Sequence, residues 1–275
     1  MITSKYKLLI FSFLGVSVAC AQSNSAQNSY AEKVLQRYTE SVAEYSALPN
    51  TFDGRLLGSD EALELSPEYL ENPALAEILR TSAQEFINRI YEERLAAPAQ
   101  PNERVIFSGG GTGSGKTSNL RMLEPLIRDQ IPIIYDTTMS NDYYSTLFID
   151  QVLASGRVTT IIYVYRDPLD AFINGVIPRA QKTGRTVGCP YHVASHINSR
   201  LVMDALLKKY SQEPRFSLIV VDGSRGPEDR RIVPLQFIPY KDKYVLSREV
   251  NQAIERARLN KALDDKTLAS TPICQ

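Results

Sequence analysis

The sequence predicts a parallel α/β sheet flanked by helices, with a helical N-terminal extension. Three observations carry that prediction. Val105-Ile106-Phe107 enters a glycine-rich turn, residues 108 to 117, and the chain leaves it in a helical pattern. Short apolar, β-branched runs recur at 133–135, 159–165 and 216–221, with helical periodicity between them, the alternation that builds a parallel sheet. Polar residues follow each run directly, and open parallel sheets gather their ligands at the carboxyl ends of strands.

The elements follow in order. Residues 22–30 are polar and read as a flexible tether. Val34, Leu35, Tyr38, Val42, Tyr45 and Leu48 recur at spacings of three and four, a helical face that stops at Pro49. Proline, glycine and aspartate make 49–67 a loop. Asn72 and Pro73 form an N-cap and first turn for a long helix that ends at Pro98. After the glycine-rich turn comes a helix carrying Pro125, where a bend is expected. A short strand then ends at Asp136. Ser145 to Ser155 is a helix closed by Gly156, and Thr159 to Tyr165 is the clearest strand. Asp167-Pro168 caps a helix, a basic segment runs from Pro178 to Gly188, another helix follows Pro190, and a strand at 216–221 ends in Asp222-Gly223-Ser224-Arg225-Gly226. The expected organisation is a signal peptide at 1–21, a tether and helical region at 22–98, the sheet core at 99–246, and a C-terminal helix and tail at 247–275.

The chain has 275 residues, 43% hydrophobic and 23% charged, enough to bury a full core. Its 31 basic and 31 acidic residues cancel, so the broad basic field of a nonspecific nucleic-acid binder is absent and no nucleic-acid partner is expected. Lys5 and Lys7 precede the uncharged run Leu8 to Ala19, a signal-peptide layout shorter than the roughly 20 residues of a spanning helix. Ala19-Cys20-Ala21 is a small-residue cleavage site, and Val18-Ala19-Cys20 also matches the end of a lipobox, which would leave Cys20 lipidated as the one route to a membrane. The expected destination is periplasmic, secreted or lipoprotein, or cytoplasmic if the segment is not a signal. Cys189 and Cys274 then remain and permit one disulfide.

From Gly110 the turn reads Gly110-Gly111-Thr112-Gly113-Ser114-Gly115-Lys116-Thr117, the phosphate-binding P-loop pattern. Glycines let backbone N–H groups turn inward around an anion, and the following helix aims its positive end at the same point. Lys116 would lie along the β- and γ-phosphates of ATP or GTP, and the Thr117 hydroxyl would ligate Mg²⁺. Asp136 is the acidic partner, either holding Mg²⁺ through water or accepting the proton of an attacking hydroxyl, with a turn cap as the alternative. Thr137 and Thr138 either orient that hydroxyl or close the turn.

Arg179, Lys182 and Arg185 lie on the basic segment, suited to a mobile lid that lowers cations onto the γ-phosphate. Arg166 has two readings, a phosphate contact and an ion pair with a nearby acid. Cys189, His192 and His196 have metal-like spacing without a fourth ligand, so a lid-hinge or substrate-side role for His196 is preferred. The 222–226 loop either faces a nucleobase or is a plain turn.

These residues together resemble the zeta-toxin family of P-loop kinases. The resemblance runs from about Pro67 to Gly226 and rests on the P-loop, Tyr135-Asp136-Thr137-Thr138, the stretch Ile162 to Pro168, Pro178-Arg179, Thr183 to Val187, His196 and the 222–226 loop. It implies ATP- or GTP-dependent phosphorylation of a small-molecule hydroxyl, with UDP-N-acetylglucosamine the acceptor known for the family's toxins. It also implies that Arg179 and Arg185 are lid arginines holding the γ-phosphate and that 222–226 lies near the base. One departure is plain. Thr117 and Asp136 are only 19 positions apart, so the family's segment with a separate general-base aspartate is missing. Asp136 matches the later, substrate-side acid and is expected to serve as base as well. No antitoxin partner follows from the chain. The expectation is a kinase whose transfer site is Lys116, Asp136, Arg179 and Arg185; the alternatives are a nucleotide hydrolase and a nucleotide-gated binding module.

Overall fold

The computed structural model describes residues 27, 29–120, 131, 133–226, 228–263, 267–268 and 271–275. The targeting segment with Cys20 and the expected bend at Pro125 lie outside the described residues. Among the described residues six strands form one sheet: β1 (Leu56–Gly58), β2 (Arg104–Gly109), β3 (Ile133–Asp136), β4 (Val158–Tyr165), β5 (Phe216–Asp222) and β6 (Arg231–Ile232). Their spatial order is β1-β3-β2-β4-β5-β6, parallel throughout except for β6. The strands read as unbroken apolar runs because both faces are covered. Val105, Phe107, Ile133, Tyr135, Ile161 and Tyr163 point into one core, and Ile106, Ile134, Ile162 and Val164 into the other.

The helices are α1 (Tyr38–Ser46), α2 (Ser59–Leu63), α3 (Pro67–Glu71), α4 (Ala76–Ala96), α5 (the P-loop helix, described over 116–120), α6 (Asp142–Ala154), α7 (Pro168–Ala171), α8 (Ile177–Thr183), α9 (Cys189–Lys209) and α10 (Lys243–Leu259). Most predicted elements stand where expected. Asn141 caps α6 by accepting from the Tyr144 N–H at 3.1 Å, and Asp167 caps α7 through the N–H groups of Leu169 and Asp170.

Four differences matter. The polar stretch before residue 31 is not a tether throughout: Tyr30 is fully buried, and its hydroxyl donates to the Ala62 carbonyl at 3.0 Å. The first predicted helix breaks at Arg37, whose ψ of 41° is not helical, leaving a π-helical turn, Ala31–Leu35, ahead of α1. Pro73 opens a 3₁₀ turn, Pro73–Leu75, rather than the long helix itself. The predicted loop at 49–67 holds β1 and α2, so the N-terminal region contributes a strand to the sheet as well as helices against it. Three residues are too few for strand periodicity to register in sequence. What fixes them is tertiary: the buried Tyr45 hydroxyl donates to the Leu56 carbonyl at 2.7 Å and accepts from the Gly58 N–H at 3.0 Å.

Cys189 and Cys274 are joined in a disulfide across 85 positions, tying the C-terminal tail to the start of α9. At the other end of the molecule Arg157, 1% exposed, closes the last turn of α4. It donates to the carbonyls of Leu95 at 2.9 Å and Ala97 at 2.8 Å and pairs with Glu103 at 3.2 Å. Those carbonyls have no partner within the helix, and the guanidinium supplies the missing donors. Replacing it by Met strands them together with the Glu103 carboxylate. Arg157→Met should therefore lower unfolding free energy by about 3 kcal/mol in urea melts, and a loss under about 1 kcal/mol would show that water does the same work.

Candidate active site

The P-loop joins β2 to α5. Gly110 has φ +131°, and a Cβ there would lie 2.2 Å from the Val164 carbonyl, so only glycine fits. Its N–H donates to the Thr138 carbonyl at 3.1 Å, which fastens the loop to the end of β3. The helix begins at Lys116, so the N–H groups of its first turn point out of the helix at the loop. Lys116 Nζ folds back on the loop, 3.2 Å from the Gly110 carbonyl and 3.5 Å from that of Gly111.

Thr112 lines the cavity, and its own polar groups are engaged with α9. Its N–H donates to Ser195 Oγ at 3.1 Å, its hydroxyl meets His192 Nδ1 at 2.6 Å, and its carbonyl meets His196 Nε2 at 2.9 Å. All three groups of Thr112 are thus spent on α9. The His192 tautomer follows from its partners: Nε2 faces the Pro168 carbonyl at 2.8 Å and must carry the proton, so Nδ1 accepts from the threonine. Burial pushes His192 down to about 4, and burial together with His192 pushes His196 well below its ordinary value. Both rings are neutral struts. A Cβ on Gly111 would fall 2.3 Å from the His196 ring, so the loop lies directly on it. The metal-like spacing of Cys189, His192 and His196 therefore serves a disulfide and a loop support.

Asp136 ends β3, in register with Ser108 of β2 and Gly58 of β1. Its Oδ1 is buried without a hydrogen-bond partner among the described residues. Burial raises its pKa, with the Lys116 charge pulling the other way. Thr137 and Thr138 close the turn, the first accepting the Met139 N–H at 3.3 Å and the second meeting Ser140 Oγ at 2.8 Å. Both still line the cavity.

The basic segment is half helical. Arg179 sits on α8, which Gly184 terminates at φ +69° with its N–H on the Ala180 carbonyl at 2.8 Å. Arg185 follows that cap, and Lys182 faces solvent. Arg179 Nε and Nη2 and Arg185 Nε are buried with no hydrogen-bond partner among the described residues. Arg166 pairs with Asp170, and its Nη1 is 3.5 Å from the Gly113 carbonyl.

These groups line one cavity of about 450 Å³, within the range of small-molecule sites. Thr112, Gly113, Gly115, Lys116 and Thr117 of the P-loop line it together with Asp136, Arg166, Arg179 and Arg185. The 222–226 loop lines none of it among the described residues; it is a turn closed by the Ser224 N–H on Asp222 Oδ1 at 2.9 Å. The fit to a triphosphate is positive: a helix start, an ammonium resting on two neutral carbonyls, and buried guanidinium N–H groups without partners all call for an anion.

Four residues of the N-terminal region that sequence reading passed over also line it: Ser59 and Asp60 on α2 and Arg80 and Gln84 on α4. Asp60 pairs with Arg185 and, at 3.3 Å, with Arg80. Next to it Glu61 is 7% exposed, and its Oε2 fills the space where a Cβ on Gly58 would stand. Burial first, then Asp60 and Asp136, push Glu61 from 4.5 to about 8. No sequence signal pointed to α2, because its partners, Arg80 and Arg185 on Asp60 and Tyr30 on the Ala62 carbonyl, lie beyond the reach of any local pattern.

A second cavity of about 380 Å³ shares Gln84, Thr137 and Thr138 with the first. Tyr135, Tyr144 and Phe148 supply its aromatic walls, and Asn88 and Asn141 its amides; no charged side chain lines it.

No protein-family model matches the sequence, and no curated protein is similar to it. Among solved structures the chain is similar to crystal structures of the AvrRxo1-ORF1:AvrRxo1-ORF2 complex. The native form gives 14% identity and a TM-score of 0.40 over 74% of this chain and 87% of that one. The form with sulphate ions gives 13% and 0.39 over 74% and 88%, and the form with ATP 12% and 0.40 over 74% and 89%. The functional reading rests on this chain's own geometry.

The buried Glu61 proton is testable. The folded chain keeps it up to about pH 8, the unfolded chain only up to 4.5. Its contribution to stability is therefore complete below 4.5 and is lost as pH rises to about 8. The melting temperature of wild type relative to Glu61→Gln should fall across that window in thermal melts. A difference independent of pH would mean that Glu61 holds no proton in the fold.

Proposed function

We propose that the chain is a phosphotransferase of the zeta-toxin type, passing the γ-phosphoryl group of ATP or GTP to an alcohol on a small molecule. One observation carries this reading: Arg179, Arg185, Asp136 and the first turn of the P-loop helix all line a single cavity, and Arg179 Nε and Nη2, Arg185 Nε and Asp136 Oδ1 are buried there without a hydrogen-bond partner among the described residues. In the transfer, Lys116 exchanges two carbonyls for the β- and γ-phosphates. Thr117 is the residue placed to hold Mg²⁺, which would offset charge on the phosphates. Asp136 accepts the acceptor's hydroxyl proton as the new O–P bond forms and the bond from the γ-phosphorus to the β–γ bridging oxygen breaks, leaving the nucleoside diphosphate. Its raised pKa suits a base, and Arg179 and Arg185 neutralise the charge spreading over the γ-oxygens.

The second cavity supports a choice of acceptor. Its walls are aromatic rings, amides and hydroxyls, so the part of the acceptor that bears the alcohol is uncharged; the sugar of UDP-N-acetylglucosamine is one group of that kind. We also propose export of the chain. The Lys5, Lys7 and Leu8 to Ala19 layout supports it, and so does a disulfide, which persists in oxidising compartments.

Incubating the protein with γ-labelled ATP, Mg²⁺ and a small-metabolite extract should transfer label to an acceptor that can be isolated. Lys116→Ala should abolish the transfer, and Asp136→Asn should reduce it at least tenfold with nucleotide still bound. Arg185→Ala should lower kcat about 100-fold and nucleotide affinity less than about fivefold. Calorimetry that detects no binding of ATP or GTP with Mg²⁺ would end this reading.

A further inference from the structure

The transfer site as read from the P-loop, β3 and α8 leaves Arg185 without a reason to be where it is. It sits one residue beyond the Gly184 cap, in a connection that offers its long side chain no helix of its own. The reason comes from 125 positions upstream. β1 pairs in parallel with β3, Gly58 opposite Asp136, and the two residues that follow, Ser59 and Asp60, line the phosphate cavity. Asp60 takes the guanidinium of Arg185 directly. The same Oδ1 takes Arg80 Nη1 at 3.3 Å, and Arg80 is braced from its own helix by Glu77 at 3.1 Å. One carboxylate thus holds two arginines at the wall of the cavity, while their Nε–H groups stay buried and without hydrogen-bond partners among the described residues.

A carboxylate in this position is electrostatically costly. It stands in the cavity proposed above to hold the triphosphate, and its like charge opposes nucleotide binding there. It also makes a poor general base: burial alone would raise its pKa, but Arg185 and Arg80 more than reverse that and hold it well below the carboxylate range. Asp136, raised and with a partnerless Oδ1, is better suited to accept a proton.

We propose that Asp60 is a positioning residue of the transfer site, orienting Arg185, and with it Arg80, so that their unpaired N–H groups meet the transferring phosphoryl group. The proposal rests on the phosphotransfer reading above. Binding energy is given up at Asp60 to hold a cation where charge develops in the transition state, and such an arrangement affects kcat rather than affinity.

The test is a double-mutant cycle on the full chain with Asp60→Asn, Arg185→Ala and the pair, measuring Mg-ATP affinity by calorimetry and turnover with labelled ATP. Asp60→Asn should bind Mg-ATP as tightly as wild type or up to about tenfold more tightly, while kcat falls at least tenfold; misfolding does not produce that opposed pair of changes. The double variant should turn over within about twofold of Arg185→Ala alone, and Asp60→Glu should recover part of the lost rate. Losses that multiply in the double variant, or weaker Mg-ATP binding by Asp60→Asn, would overturn the positioning role. A parallel cycle of melting temperatures without nucleotide tells the two readings apart. If Asp60 and Arg185 are coupled there but wild type binds no Mg-ATP, the phosphotransfer reading has failed and takes the positioning role with it. If wild type binds and transfers but the residues are uncoupled, only the positioning role falls.

Discussion

A three-residue parallel pairing decides what this site contains. Leu56, Leu57 and Gly58 add a strand to the edge of β3, and that register sets the start of α2 beside Asp136. A slip of one residue would turn the strand's side chains to the opposite face and carry Asp60 away from Arg185. So short a strand does not hold its own register. Tyr45 does, with one hydroxyl that bonds the backbone on both sides of Leu57, and Glu61 completes the packing by occupying the space that glycine leaves at position 58.

Charge in the cavity is arranged as a set. Lys116 rests on the carbonyls of its own loop, Arg185 and Arg80 are held by Asp60, Arg166 by Asp170, and Arg179 keeps two buried nitrogens without partners among the described residues. Of the acids, Asp60 is kept ionised by its arginines while Glu61, a residue further on, is kept protonated by burial and by its acidic neighbours. The two carboxyls are pushed in opposite directions by the same cluster, the pattern by which a site separates roles among like groups. On the proposed phosphotransfer, a triphosphate would meet cations already desolvated and held, which lowers the cost of ordering them at the moment of transfer.

The glycine-rich loop is itself supported from behind. α9 contributes Ser195, His192 and His196 to the three polar groups of Thr112, and the disulfide at Cys189 ties the start of that helix to the tail. Neutral imidazoles suit the task, because a charged ring against the loop would compete with Lys116 for the same anion and carry a desolvation penalty.

The P-loop, the parallel sheet and the segments holding Asp136, Arg179 and Arg185 were all legible in the sequence, because each is encoded locally: glycines at set intervals, unbroken β-branched runs, a proline behind a capping aspartate. The residue types suited to phosphate could be named for the same reason. What tertiary structure alone decided were the partnerships. Thr112 was expected in the phosphate cradle, and its polar groups are engaged with α9; His192 and His196 have metal-like spacing and brace the loop; 49–67 looked like loop and supplies Asp60, Glu61 and a strand. In every case the deciding contact spans tens of positions, and a hydrogen bond or register that joins distant segments leaves no periodicity in either one. Local chemistry is written along the chain, whereas the company each group keeps is set by how the sheet brings the segments together.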